Sequence, residues 1–444
     1  MKATAKSILT LGIPIIFGQL GSIAQQFADT MMVGQYGTLE LAGAGFVNNV
    51  FNLVIYFILG ISYATTPVIG SAFGSGDKHG VVRSLLESII VNLVFSLGVV
   101  VILVLLYCNI EVLDQPADVI KVALPYFLVL TVSVPFMAVF NAMKQFSDAI
   151  GETKIPMWIM LGANVLNIIL NYALIFGHWL CPELGLLGAG IATLASRVLS
   201  LVFLTIAICR LKRYNTFFRL LTLEDKRIRP TALGMRRLSA VGLPISIQLG
   251  LEASSFNVAA VFMGWLGAVE LAAHQVMCTI STLCFQILYG IGAAASVLIS
   301  QSCGKNEWGS VRRTAGTAFA LGLATTFSMI TIIYLFRYPL VRCFTESQDV
   351  MRVIFLILPC FFIYQFGDCM QITFANALRG IEKVKRMMLY AFIAYVMVSI
   401  PLSYLFAFVL KWGSVGVWAG IPFGLTTAGL LFLYDFRRNT WEHT

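Results

Sequence analysis

The 444-residue chain is expected to be an all-α polytopic membrane protein, with twelve transmembrane helices in two pseudo-symmetric six-helix bundles. Three observations predict it. Apolar residues make up 59% of the chain and charged residues 11%, against roughly 25% charged in a soluble domain. The two halves of the chain repeat each other. Lys and Arg are partitioned between alternate loops.

Each observation narrows the architecture. A soluble chain of this length needs a charged exterior, and long stretches here have nothing to offer water. Without water, only helices or a closed barrel satisfy the backbone across a bilayer. Barrel strands are short and alternating, whereas these apolar runs last about 20 residues or more, as spanning helices require. The repeat keeps one register. Gly12-Ile-Pro14-Ile15 recurs as Gly242-Leu-Pro244-Ile245, and Gly34-Gln-Tyr-Gly37-Thr-Leu-Glu40 as Gly264-Trp-Leu-Gly267-Ala-Val-Glu270. Gly60-Ile61 matches Gly290-Ile291, Gly74 matches Gly304, and Val81-Val-Arg83 matches Val311-Arg-Arg313, all offset by 230 residues. Chance apolar similarity would not hold Gly, Pro, Glu and Arg in step. The chain reads as an internal duplication with both copies in the same direction.

In chain order the first half has spans near 7–33, 44–73, 85–108, 119–145, 155–178 and 187–210. The second has spans near 237–263, 274–302, 311–336, 350–376, 386–410 and 414–436. Domain boundaries follow: 1–210 as the first lobe, 211–236 as a basic linker, 237–444 as the second lobe. Lys2 and Lys6 precede the first span, which runs on past Gln19, Gln25 and Asp29 and has no obvious cleavage site. It is expected to stay as a helix rather than be removed as a signal peptide. Pro14 and Pro244, near the start of the first helix of each half, mark matching sites for a kink or an irregular first turn.

Of the 30 Lys and Arg residues, 24 fall at the termini, in the linker and in loops 2–3, 4–5, 8–9 and 10–11, all on one side if the helices alternate. The stretch from Arg210 to Arg237, the linker with its two flanking residues, alone carries nine, including Lys226 and Arg227. The opposite loops hold only Lys121, Arg337, Arg342, Arg352 and Lys411, and Arg197 lies inside a span. This bias places both termini and the linker in the cytoplasm. It also accounts for the net charge of +9 as a topology signal, so nucleic acid is not implied. The nine Cys residues are scattered with no CxxC pair and read as packing residues.

Polar groups inside spans need a partner or a wet cavity. Three carboxylates lie there: Asp29, Glu252 and Asp368. Each has polar neighbours three or four residues away on its own helix face. They are Gln25 and Gln26 for Asp29, Gln248 and Ser255 for Glu252, and Tyr364 and Gln371 for Asp368. Helix 5 adds an amide stripe, Asn164, Asn167 and Asn171, and helix 2 adds Asn48 and Asn52. A single Asn or Gln in a span is more often a bridge between helices. A carboxylate is a costly bridge, so the three acids point to reversible binding of a proton or a cation. Arg197 is the one comparable buried cation this reading finds.

Enzyme chemistry finds no support: the chain has no Walker loop, no HExxH and no GxGxxG after a strand. His79, His178, His274 and His443 form no ligand cluster and are expected at surfaces or interfaces. No cofactor is implied, and energy is expected to come from an ion gradient.

These residues resemble the multidrug and toxic compound extrusion (MATE) family, NorM-type bacterial branch, over essentially the whole chain. Asp29-Thr-Met-Met-Val-Gly34 is similar to the family's first-helix motif. Gly242-Leu-Pro244 followed by Gln248-Leu-Gly-Leu-Glu252 resembles its helix 7, and Tyr364-Gln-Phe-Gly-Asp368-Cys-Met-Gln371 with Ala377-Leu-Arg379-Gly380 its helix 10. Asn164-Val-Leu-Asn167-Ile-Ile-Leu-Asn171-Tyr172 resembles its helix 5. The resemblance implies a V-shaped pair of lobes in a bacterial inner membrane, working as a monomer. It implies export of lipophilic organic cations and drugs in exchange for Na⁺ or H⁺ by alternating access, and hence antibiotic resistance. By motif, Asp29 is the first-lobe cation residue, with Asn167 and Asn171 near it. Glu252, Asp368 and Tyr364 form the second-lobe cation site, with Na⁺ favoured over H⁺ because this set is complete. Gln25, Asn48, Asn164, Gln248 and Gln371 complete the polar cleft. The chain departs from the family at Asn171-Tyr172, where some proton-coupled members have Asp-Pro, and at Glu382-Lys-Val-Lys385 in the loop after helix 10. Two other readings stay open. A flippase for lipid-linked oligosaccharide or peptidoglycan precursors would need a basic cleft, and a passive channel would tolerate neutralised Asp29, Glu252 and Asp368.

Overall fold

The computed structural model describes residues 2–110, 116–179, 181–222 and 228–441. Lys226 and Arg227 of the predicted linker lie outside these residues. The described residues form helices and no strand. In order they are α1 (Lys2–Tyr36), α2 (Thr38–Tyr63), α3 (Thr65–Gly74), α4 (Lys78–Cys108), α5 (Ala117–Ala149) and α6 (Lys154–Phe176). Next come α7 (Leu186–Arg210), α8 (Asn215–Thr222), α9 (Ala232–Leu266), α10 (Ala268–Gly304) and α11 (Trp308–Leu335). The last four are α12 (Arg337–Arg342), α13 (Gln348–Gly380), α14 (Met387–Val409) and α15 (Gly413–Trp441). Among the described residues twelve stretches are long and apolar enough to cross a membrane, with α2 and α3 together making one of them. The surface agrees: on α4, Val94, Leu97, Val101 and Leu105 repeat at helical spacing and are all about half exposed or more. An apolar stripe turned outward suits hydrocarbon and not water. The chain is a multi-pass membrane protein.

The helices are longer than their apolar cores. α9 begins at Ala232 and α13 runs on to Gly380, each several residues beyond its predicted span. Pro14 and Pro244 therefore sit three turns inside continuous helices and not in irregular first turns. Contacts divide the chain into two compact units, Phe17–Ser246 and Met1–Ile16 with Ile247–Thr444. Both divisions fall two residues after a proline, so α1 and α9 each contribute to both units.

In the unit Phe17–Ser246, α2 packs on α9 through Gly60. A Cβ there would lie 2.4 Å from the backbone of Ser246, so only glycine permits the approach. Ser246 Oγ donates to the Phe57 carbonyl at 2.8 Å across the same contact. The start of α9 is fixed by Glu87 of α4, which is 2% exposed. Its Oε1 accepts from the Thr231 amide at 2.9 Å and the Thr231 hydroxyl at 2.7 Å. A carboxylate at a helix N-terminus satisfies free amides and opposes the helix dipole. Tyr214, just before α8, is fully buried and bonds Ser147 of α5. Burial pushes its phenol up to about 12, so it stays neutral. Arg213 reaches Glu152 at 2.5 Å.

In the other unit, α14 and α15 close through Gly416, Gly420 and Gly424. Added Cβ atoms there would lie within about 2.5 Å of Ala407, Ser403 and Ser399 respectively. Small residues four apart let two helix backbones meet. α14 itself widens into π-turns over Phe392–Ser399 and Leu405–Val409, on either side of Pro401. Proline offers no amide and crowds the carbonyl four residues back, and a wide turn relieves that clash.

Candidate functional site

The three predicted carboxylates fall in two polar clusters, one in each unit. The first lies in Phe17–Ser246. Helical spacing puts Gln25 and Asp29 on one face of α1, and Gln25 Nε2 donates to Asp29 Oδ2 at 3.3 Å. From α6, Asn171 Nδ2 donates to Asp29 Oδ1 at 2.5 Å and to Asn167 Oδ1 at 3.1 Å. Asn167 and Asn171 are fully buried, whereas Asp29 is half-buried. Both carboxylate oxygens thus accept hydrogen bonds. Asn164 lies one turn further along the α6 stripe, half-buried, next to Gly21 of α1. Asn48 stands apart from this carboxylate: it is exposed and accepts from Tyr126 at 3.3 Å. Arg197 donates to Ser133 Oγ at 2.6 Å.

The second cluster lies in the other unit and joins α9, α10, α13 and α14. Glu252 Oε2 accepts from Gln248 Nε2 at 2.8 Å on its own helix and from Gln371 Nε2 of α13 at 3.0 Å. Gln248 Oε1 in turn accepts from Arg379 Nη2 at 2.7 Å. Tyr395, on the first π-turn of α14, is buried beside Glu252 without closing a well-formed bond to it. One turn along α13, Asp368 is 1% exposed and its Oδ2 has no hydrogen-bond partner. Tyr364, four residues before it, pairs its hydroxyl with Ser281 Oγ of α10 at 2.7 Å. Gln365 is buried with neither amide atom bonded, and Gln371 Oε1 is likewise unbonded. Tyr364, Gln365, Asp368 and Gln371 share one face of α13, so unsatisfied oxygens line it together.

Three expectations need correction. Arg379, counted with loop 10–11, lies in the last turn of α13 and is 4% exposed. Lys144, counted with loop 4–5, is buried in α5 and pairs with Asp148 at 2.9 Å. Arg197 is therefore one of several inward cations, not a lone one. His274 is 1% exposed and sits 3.3 Å from Cys278 Sγ, in the interior and not at an interface. The sequence reading also missed Gln365 and Tyr395. The signal for Gln365 was its spacing, three residues before Asp368. Tyr395 had no nearby acid in sequence. Among the described residues no group of three or more His, Cys, Asp or Glu is placed to hold a metal ion. The buried donors here are carboxylate, amide and phenol oxygens, which suit a hard cation.

Two helical units of one architecture, each holding a carboxylate cluster among its spanning helices, define a polytopic membrane transporter. The MatE family model matches residues 14–173 and again residues 244–405, so the two copies start 230 residues apart, as in the internal repeat. The chain belongs to the MatE family, and its relatives are of NorM type. It is 32% identical to a probable multidrug resistance protein NorM of Bradyrhizobium diazoefficiens, over 96% of this chain and 91% of that protein. It is 27% identical to the multidrug resistance protein NorM of Vibrio cholerae, over 97% of this chain and 94% of that protein. Among solved structures, the eukaryotic MATE transporter AtDTX14 shares the fold, with a TM-score of 0.87 at 19% identity, covering 99% of this chain and 98% of that one. A MOP superfamily transporter from Pyrococcus furiosus matches at 0.87 and 19% identity, over 99% and 96%.

Proposed function

We propose that the protein is a secondary active multidrug efflux transporter. It exports lipophilic organic cations in exchange for Na⁺, with H⁺ as the alternative coupling ion, by alternating access. It works as a monomer in a bacterial inner membrane, with both termini in the cytoplasm. The names of its relatives support the cargo, and the loop charge bias supports the orientation.

The observation that carries the reading is the row of buried, unbonded oxygens on α13, Gln365 Oε1, Asp368 Oδ2 and Gln371 Oε1. An unbonded oxygen in an apolar interior is costly, and a hard cation offsets that cost. In this reading Asp368, Tyr364 and Glu252 receive the ion. Asp29, with Gln25, Asn167 and Asn171 around it, offers the second negative group. Asn48, Asn164 and Gln248 are further polar contacts. The organic cation takes a carboxylate as its counter-ion while the ion is absent, and ion entry removes that counter-ion. Coupling requires the ion to favour one arrangement of the protein over the other, because equal affinity shifts nothing. A potential of ~100 mV supplies roughly 2.3 kcal/mol per charge, or nearly fifty-fold accumulation.

The test uses the full chain in liposomes with a fluorescent cationic dye, under Na⁺ and pH gradients imposed separately. Uphill dye movement under Na⁺, abolished by Asp368→Asn, is the expected result. Movement driven by pH alone and indifferent to Asp368→Asn moves the coupling site to Asp29. No uphill movement under either gradient overturns the reading.

A further inference from the structure

Three of the five basic residues on the membrane edge opposite the termini belong to one short hairpin: Arg337, Arg342 and Arg352. The hairpin joins α11 to α13 through α12. Arg337 is taken up by aromatic rings, with its guanidinium 4.5 Å from the Tyr334 centroid and 4.9 Å from that of Tyr338. Arg342 and Arg352 are different. Both are exposed, and neither has a hydrogen bond or ion pair among the described residues. The exposed acids of the same loop, Glu346 and Asp349, do not pair with them. The two arginines line a cleft of about 410 Å³ with Tyr338, Gln348, Phe355 and Leu356. The Tyr338 and Phe355 rings meet edge to face at 4.9 Å and form one wall.

The cleft sits where two spanning helices reach the membrane surface. Arg352 is in the second turn of α13, so the positive end of that helix dipole adds to the arginine charges. The free groups therefore call for an anion. Planar guanidinium forks match phosphate in shape as well as charge. The surroundings call for a lipid rather than a free ion. Leu356 and Ile363, two turns apart on one face of α13, are 53% and 62% exposed, and Leu335 and Phe336 close by are 65% and 58% exposed. A headgroup held between Arg342 and Arg352 would lay its acyl chains along this apolar face.

We propose that the α11–α13 hairpin binds an anionic phospholipid of the outer leaflet by its phosphate, through Arg342 and Arg352. The site is separate from both carboxylate clusters and does not depend on the identity of the cargo.

The experiment is native mass spectrometry of the full chain titrated with phosphatidylglycerol or phosphatidylcholine. The wild type is expected to retain phosphatidylglycerol preferentially. Arg342→Gln with Arg352→Gln should lower its apparent affinity by at least about tenfold, since both charge-assisted contacts to the phosphate are lost. The lysine pair, Arg342→Lys with Arg352→Lys, should retain part of it. Removing equal charge at the other edge, with Lys383→Gln and Lys385→Gln, should leave this affinity in place. Equal retention of both lipids, or equal loss in both glutamine pairs, overturns the proposal. Displacement of the lipid by millimolar inorganic phosphate also overturns it, in favour of a free-anion site. Both glutamine pairs alter exposed side chains, and unchanged elution of the purified protein checks that each is folded.

Discussion

Glu252 and Arg379 do not touch, yet Gln248 links them, and glutamine substitutions test that link. Arg379 Nη2 lies 2.7 Å from Gln248 Oε1, and Gln248 Nε2 lies 2.8 Å from Glu252 Oε2. With one glutamine between them the charges are roughly 8 Å apart, and at an effective dielectric of about 20 they attract by about 2 kcal/mol. Glu252→Gln keeps the volume, and its amide oxygen still accepts from Gln248 and Gln371. What it loses is charge, and with it the attraction to Arg379. Arg379→Gln leaves the opposite imbalance. Each single variant is expected to unfold more easily, and the double variant to recover about 2 kcal/mol relative to the sum of the two. The assay is a double-mutant cycle on unfolding midpoints in SDS for the purified protein. Losses that add to within about 0.5 kcal/mol would show that Glu252 and Arg379 are not coupled, and would refute the reasoning.

Asn171→Ala removes the 2.5 Å bond to Asp29 and the 3.1 Å bond to Asn167. It is expected to cost about 2–3 kcal/mol in the same unfolding assay, and Asn164→Ala, with no such bond to Asp29, much less. Gly60→Val drives a side chain into the Ser246 backbone at 2.4 Å, whereas a Cβ at Gly45 meets nothing within 4 Å. The first should cost upward of about 3 kcal/mol and abolish monodisperse elution, and Gly45→Ala should leave it unchanged. Glu87→Ala frees both bonds at Thr231 and should cost about 1–2 kcal/mol. Faster trypsin cleavage after the exposed Arg236 would report the fraying of α9, with Glu87→Gln intermediate.

The spans were legible because hydrocarbon imposes one rule on every residue it touches. Hydropathy ends where the hydrocarbon ends, and the helices do not, which is why α9 and α13 outrun their predicted limits. The same blindness hid Arg379. Followed by glycine and then a charged run, it looked like the start of a loop, and its burial depends on Gln248, 131 positions away in the chain. The three acids and their helix-mates were readable from spacing on one helix. Partners from other helices were readable only where a motif carried them, as with Asn171. Tyr395 belongs to α14, and its approach to Glu252 rests on packing that no local pattern encodes.

The two halves share a backbone plan but not a chemistry. Counting 230 residues on from Asp29 gives Ala259, and counting 230 back from Glu252 gives Ser22. Each acid faces a small, uncharged residue at the matching place in the other copy. The duplicated scaffold has kept Gly12, Pro14, Gly34, Gly37, Gly60 and Gly74 at matching places in both copies, and specialised the acids inside its spans. A chimera built from two first copies or two second copies would then inherit a stable frame with one of its two carboxylate clusters doubled and the other lost. Symmetry here belongs to the frame, and the directionality of any cycle run on it has to come from the side chains that break it.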